Sequence, residues 1–393
     1  MSHSKVRIAA IGLGNRTCKY LRYVQEHQDV VELVATVDPD PSKQADFISF
    51  DELAASGIEL DACIIGTPDL HHHELAVKAM RQGWHVLLEK PMGQTPEQCM
   101  DIVKVSEETG KMATVCYVLR YHPYFMKLKE LSLNPAMGNI LSVRHIERVG
   151  RDRTAHTFVR GPWNRQEMNT SVFFTKCCHD VDFVLWLIGN DVKSVSSVEG
   201  NRIFTAAHAP EGATGRCVDC HIEKNCPYSA VDLYLRRKDW IKGFAAILGE
   251  SQDDMIVRML KESRYGRCVY DCPENDVIDR ESITMVMHSG IKAEVIMECD
   301  TDEKDRYTVI ECKNAVISGD ETFIDVVYKD ESRPSERYDF QWTRGLSLHA
   351  GADMQIVKEF IEAIREGHLQ TKTLAEDALE SHLICFSANQ ALP

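Results

Sequence analysis

The feature that most constrains the fold is an alternation in the first 120 residues of this 393-residue chain, where short β-branched runs trade places with segments of helical apolar spacing. Val6 to Ile11, Val31 to Val37, Ala62 to Gly66, His85 to Leu88 and Met112 to Val115 read as strands. Thr17 to Gln28, His73 to Gln82 and Pro96 to Thr109 read as helices between them. Such βαβ units cross over right-handed and place the C-terminal ends of a parallel sheet along one edge, where ligands bind. Beyond about Tyr121 the pattern changes. Asn139 to Val149, Glu281 to Met287, Lys292 to Glu298 and Thr308 to Ile317 predict long strands of a mainly antiparallel sheet, accompanied by helices at Cys178 to Leu187, Met354 to Glu366 and Leu374 to Ala391. The expected organisation is an α/β domain over residues 1–122 and an α+β domain over 123–393, whose C-terminal helices can pack back on the first.

A formal charge of -15 with no run of Lys and Arg repels a phosphate backbone, so nucleic acid is not an expected partner. No apolar stretch reaches the ~18 residues of a membrane span, and Met1 to Lys5 leads into a strand-length run rather than a signal-peptide core. The expected location is the cytoplasm, where the fourteen cysteines are reduced thiols, buried small hydrophobes or metal ligands rather than disulfides.

Gly12-Leu13-Gly14-Asn15-Arg16-Thr17 closes the first strand and opens the first helix, where a dinucleotide fingerprint presents helix N-terminal amides to a pyrophosphate. Thr17 stands where the fingerprint has Gly or Ala, and a tight structural turn is the alternative reading. Asp38, just past the second strand, is placed to bind adenosine ribose hydroxyls and to disfavour a 2′-phosphate, so NAD is expected and NADP less so. It could instead begin the turn Asp38-Pro39-Asp40-Pro41. Thr67-Pro68, after the third strand, lies on the same edge.

Glu89-Lys90-Pro91 after the fourth strand, preceded by Thr67-Pro68-Asp69-Leu70-His71-His72, resembles the Gfo/Idh/MocA family. The segments His156 to Trp163, Lys176-Cys177-Cys178-His179-Asp180 and Ser381-His382 extend the resemblance along the chain. It implies a Rossmann domain plus an open-faced sheet domain, a cofactor site that includes His72, Glu89 and Lys90, and oxidoreduction of sugars, glycosides or cyclitols. It also implies a homodimer or homotetramer and a cis bond before Pro91.

Oxidising a secondary alcohol requires a base, and His179 is the candidate because imidazole titrates near neutrality. Where much of the family carries an aspartate one turn earlier, this chain has Thr175. Lys176 is expected to compensate, with Lys90 and Lys176 depressing each other's pKa, while Lys90 stabilises the developing alkoxide. Arg120, Tyr121, His156, Arg160, Trp163, Arg165 and Asp180 are the expected substrate contacts, supplying donors and an aromatic face for hydroxyls and C–H surfaces. His349 and Asp353 beside Gly351 are lesser candidates, and His145 and His288 read as ordinary strand residues.

From Ala206 to Tyr228 the chain has no period and reads as a loop. Cys217, Cys220 and Cys226 within it are a partial zinc set, with a fourth ligand open among His221, Cys268 and Cys272. Ordinary reduced thiols are the other reading. Two further functions compete with a dehydrogenase. One is a redox-neutral NAD-dependent glycosidase using the same residues. The other is a non-catalytic NAD-binding sensor, disfavoured by the presence of both Lys90 and His179.

Overall fold

Five parallel strands carry the first 115 residues, because their runs of Val, Ile, Ala and Leu are apolar on both faces and need cover on both. In a computed structural model, which describes residues 5–390 except 166–169, 201–202, 242–243, 245, 248 and 345, these are β1 (Val6–Ile11), β2 (Val31–Val37), β3 (Ala62–Ile65), β4 (His85–Leu88) and β5 (Ala113–Val115). They run in the order β2-β1-β3-β4-β5. Their crossovers include α1 (Asn15–Glu26), α2 (Phe50–Ala55), α3 (His72–Arg81) and α4 (Pro96–Thr109). Alternate side chains of β1 enter different cores, Ile8 and Ala10 one, Ala9 and Ile11 the other. Thr95 caps α4 through a side-chain bond to the Gln98 amide, and Gly110 ends that helix at φ 63°.

The rest of the chain contributes α5 (Pro123–Ser132), β6 (Ile140–Gly150), the short turn α6 (Arg151–Arg153), α7 (Val172–Ile188), β7 (Val192–Glu199), α8 (Gln252–Glu262), β8 (Arg280–Met287), β9 (Lys292–Thr301), β10 (Arg306–Cys312), β11 (Ala315–Gly319), β12 (Phe323–Tyr328), β13 (Glu336–Asp339), α9 (Ser347–Ala350), α10 (Ala352–Glu366) and α11 (Ala375–Gln390). Its sheet has eight strands ordered β13-β12-β11-β10-β6-β9-β8-β7, antiparallel throughout except for the parallel pair β6 and β9.

The expected strand Thr308 to Ile317 is two strands. The chain turns at Lys313-Asn314, which carry no glycine to signal a hairpin, and Glu311 then pairs with Val316. α10 returns to cover β1 and α1 with Ile356, Val357 and Phe360, while α11 packs on α4 and α7. Met1 to Ser4 and Ala391, at the ends of the segments read above, lie outside the described residues. Among those described, no helix is long and apolar enough to cross a membrane.

Candidate active site

The Gly12 loop has the backbone that its sequence demands. Gly12 sits at φ 81°, and a Cβ there would stand 2.9 Å from the Gly66 carbonyl oxygen and the Thr67 amide. Gly14 precedes α1 with no side-chain cap, which leaves the first amides of that helix, those of Asn15 and Arg16 among them, without a side-chain acceptor. Thr17, in the fingerprint's third position, is accommodated from the other side. A Cβ on Gly66 would lie 2.2 Å from Thr17 Oγ1, so the room a glycine usually provides on the helix comes from a glycine after β3. Asp38 performs the turn role foreseen as its alternative, accepting from the Asp40 amide through Oδ1 at 2.9 Å and from Leu13 through Oδ2 at 2.7 Å. It therefore fixes the glycine loop while keeping its charge at the edge.

Arg16 turns from that edge to carboxylates. Its Nε donates to Glu89 Oε1 at 2.7 Å and one terminal nitrogen donates to Asp353 Oδ1 at 2.6 Å. Glu89, buried, also accepts from Tyr20 and from the Lys90 amide. Burial raises its carboxyl, but Arg16 and Lys90 outweigh that and hold it below the usual range. His349 Nδ1 lies 3.0 Å from Asp353, which joins the two lesser candidates to this network. His72 spans the carbonyl oxygens of Pro91 at 2.7 Å and Thr67 at 2.9 Å, so its ring joins the two motif loops and has no free nitrogen to offer a ligand.

The Lys90–Pro91 bond is cis. Lys90 Nζ donates to the Thr175 carbonyl at 2.7 Å, one turn before His179 on α7. His179 is half-buried, its Nδ1 has no hydrogen-bond partner, and its ring lies 5.4 Å from that of Tyr117. Burial first and the Lys90 ammonium second push its imidazole well below the ordinary histidine range, leaving it neutral at pH 7. Tyr117, not singled out from sequence, meets Ser381 and His382, each at 3.0 Å, and His382 Nε2 accepts from the Met92 amide. The Ser381-His382 motif thus steadies the loop after Pro91 from α11.

Several expected contacts go elsewhere. Lys176 Nζ pairs with Glu147 at 2.6 Å, and its lowering comes from burial, offset by Glu147 and reinforced by Arg153 and Arg306; the expected coupling to Lys90 is replaced by these. Asp180 is 0% exposed and binds His145 Nε2 at 2.9 Å and Arg306 Nε at 2.5 Å under the large sheet, because adjacent helix residues point about 100° apart and, of the two, it is His179 that feels Lys90. His145 is structural, as read. Arg120 clamps both oxygens of buried Asp182, at 2.9 and 2.7 Å, and Tyr121 donates to Glu359, so these two tie α7 and α10 to the turn after β5 instead of lining a cleft.

His156 packs among Tyr234, Trp240 and Tyr265, with Nδ1 2.8 Å from the Tyr234 hydroxyl. Arg160 is buried against Arg267 and Tyr228 carbonyls, Trp163 packs half-buried on the core, and Arg165 is exposed. Sequence density placed these four at the substrate, but His156 and Arg160 instead anchor the cysteine-bearing lobe. Arg153 was missed for want of any motif: it is exposed to solvent yet surrounded closely enough for desolvation to lower it, and it feels Glu147, Arg306 and Arg16. Those neighbours place it beside the Lys176–Glu147 pair.

The family model described as "Oxidoreductase family, NAD-binding Rossmann fold", GFO_IDH_MocA, matches residues 6–117. A 1-carboxy-3-chloro-3,4-dihydroxycyclo hexa-1,5-diene dehydrogenase of Comamonas testosteroni is 28% identical over 63% of this chain and 64% of its own length. Inositol 2-dehydrogenase 4 of Saccharopolyspora erythraea is 25% identical over 54% of this chain and 62% of its own. The chain thus matches these relatives over somewhat less than two thirds of their length. Among solved structures, the WlbA dehydrogenase of Bordetella pertussis, in complex with NADH and UDP-GlcNAcA, has a TM-score of 0.70 at 16% identity, covering 100% of this chain and 96% of that one. An Agrobacterium radiobacter oxidoreductase in complex with NAD+, L-tartaric acid and magnesium has a TM-score of 0.71 at 13% identity, covering 99% and 96%. At these identities the two structures show a shared fold.

Proposed function

We propose that this chain, whose residues 6–117 match the GFO_IDH_MocA oxidoreductase model, belongs to that family and oxidises, or in reverse forms, a CH–OH group of a sugar, glycoside or cyclitol with NAD as hydride partner. The observation that carries the reading is the pairing of Lys90 with His179. A lysine held against the Thr175 carbonyl stands beside a neutral imidazole with a free Nδ1. His179 takes the hydroxyl proton; Lys90 stabilises the oxyanion left behind and keeps the imidazole uncharged until that moment.

The residues present fit the dinucleotide. The turn at Gly12, where a Cβ would collide, allows close backbone approach, and the uncapped N-terminus of α1 suits a pyrophosphate. Asp38 favours ribose hydroxyls over a 2′-phosphate. When bound, nicotinamide supplies the hydride acceptor. Asn15, Thr67 and Pro68 line the same edge, and Glu89 orients Lys90 through its amide. Arg153 takes the place of His156 and Arg160 as the substrate-side cation. Assembly as a homodimer or homotetramer through the open face of the eight-stranded sheet completes the proposal.

The test is fluorescence titration with NAD and NADP, then the same mixture with sugars, inositols and nitrophenyl glycosides. Reduced nicotinamide accumulating on a polyol supports the dehydrogenase. Nitrophenol release without it moves the assignment to the redox-neutral glycosidase, and absence of nucleotide binding overturns both.

A further inference from the structure

Between Glu199 and Arg280 the described residues contain no strand, and the lobe they form has only two small apolar cores, one around Met255 and Leu260 and another around Phe204 and Val269. Such a segment buries too little to order itself by apolar packing alone. An isolated antiparallel bridge between Arg216 and Arg267 brings two distant pieces together, with the Cys268 amide donating to the Gly215 carbonyl at 3.0 Å. That bridge sets Cys217 beside Cys268. Cys217, Cys220, Cys226 and Cys268 then line a single cavity, together with Arg160.

Arg160 says what the cavity lacks. It is 1% exposed, and its guanidinium meets the Arg267 and Tyr228 carbonyls at 2.7 Å and Cys217 Sγ at 3.6 Å, while its other terminal nitrogen is buried without a partner. The partners of its other guanidinium nitrogens are two carbonyl oxygens and a thiol, none of them a carboxylate. A buried cation with neutral hydrogen-bond partners is costly, and negative charge in the cavity that it lines would offset that cost. Four thiolates on a divalent ion carry a net charge of about -2, which supplies it.

We propose that Cys217, Cys220, Cys226 and Cys268 hold a structural zinc ion, with Arg160 as its outer counter-charge. The two other candidates drop out. Cys272 turns its sulfur to the Cys268 carbonyl at 3.3 Å and does not line the cavity, and His221 is exposed. Among the described residues no three ligands already stand at metal-holding separation, so ligation requires the four thiols to move inward from the cavity wall. The site closes the lobe whose Tyr234 and Tyr265 hold His156, three residues beyond Arg153.

The experiment is elemental analysis of the purified full-length protein, with Cys217→Ser, Cys268→Ser and the exposed Cys18→Ser. One zinc per chain is expected in the wild type and in Cys18→Ser, and loss of it in the other two. Protein produced with cobalt guards against variants that fail to fold, because tetrahedral four-thiolate cobalt shows sulfur-to-metal charge transfer and intense visible d–d bands; these are expected in the wild-type chain. Absence of metal, zinc retained in both cysteine variants, or iron with acid-labile sulfide in its place each overturns the assignment.

Discussion

Lys90 donates through Nζ to the Thr175 carbonyl at 2.7 Å, and Thr175 stands one helical turn before His179. Thr175, where the family this chain resembles mostly carries an aspartate, meets the lysine through its backbone, which any residue supplies. The lysine is aimed by a main-chain oxygen, and the imidazole it faces stays neutral through burial and that adjacent ammonium.

Lys90→Met removes the ammonium and keeps most of the side chain's volume. Turnover should fall about a hundredfold or more, with nucleotide affinity within a few-fold of wild type by fluorescence titration. Equal loss of both would place Lys90 in cofactor binding alone.

Thr17 and Gly66 share one space, so Gly66→Ala should destabilise the chain by about 1–3 kcal/mol in denaturant unfolding. Thr17→Ala, which deletes the buried and unpartnered hydroxyl, should recover most of that loss in the double variant. Additive effects would mean that the two do not touch.

Arg120 neutralises a carboxylate inside the protein. Arg120→Ala strands Asp182, already pushed up to about 6 by burial, and should cost about 3–5 kcal/mol of stability. The accompanying Asp182→Asn change should restore part of it, and a large kinetic effect with intact stability would return Arg120 to the substrate.

Burial lowers His85, His122, His156 and His382 to about 4. With folded values below the unfolded one of roughly 6.5, the unfolded chain binds more protons between those limits. Stability from these groups is full above about pH 6.5 and declines toward pH 4, by up to about 1.4 kcal/mol per pH unit for each. Asp182, and Glu281 raised to about 7, act in the opposite sense: the stability they give at low pH is lost progressively as pH rises from about 4, the unfolded carboxyl value, to about 6 and 7 respectively. Urea unfolding from pH 4.5 to 7.5 should show a net fall on acidification, shallower in His382→Gln.

If Asp38 holds the ribose as proposed, Asp38→Ala should weaken NAD binding about tenfold and narrow the gap to NADP, since it would remove the charge set against a 2′-phosphate. It should also loosen the glycine loop through Leu13. Unchanged discrimination between the nucleotides would confine Asp38 to the turn.

The sequence by itself determined what local pattern controls. The five parallel strands fall within a residue or two of their periodic runs, and Gly12 sits where its motif requires a positive φ. The cis bond before Pro91, which the resemblance of Glu89-Lys90-Pro91 implies, is present at the end of β4. Tertiary structure decided what depends on direction and on distant partners. Whether Asp180 or His179 faces Lys90 follows from how α7 is rotated against the large sheet, and sequence order alone does not give that angle. Arg120, His156 and Arg160 have the right chemistry for a sugar, yet Asp182, Tyr234 and the Tyr228 carbonyl claim them. Arg153 and the convergence of Cys268 on Cys217 rest on contacts between segments far apart in the chain. Those contacts exist only once the lobe folds against α6 and the segment that follows it, because the side chains that meet there have no periodic relation to one another.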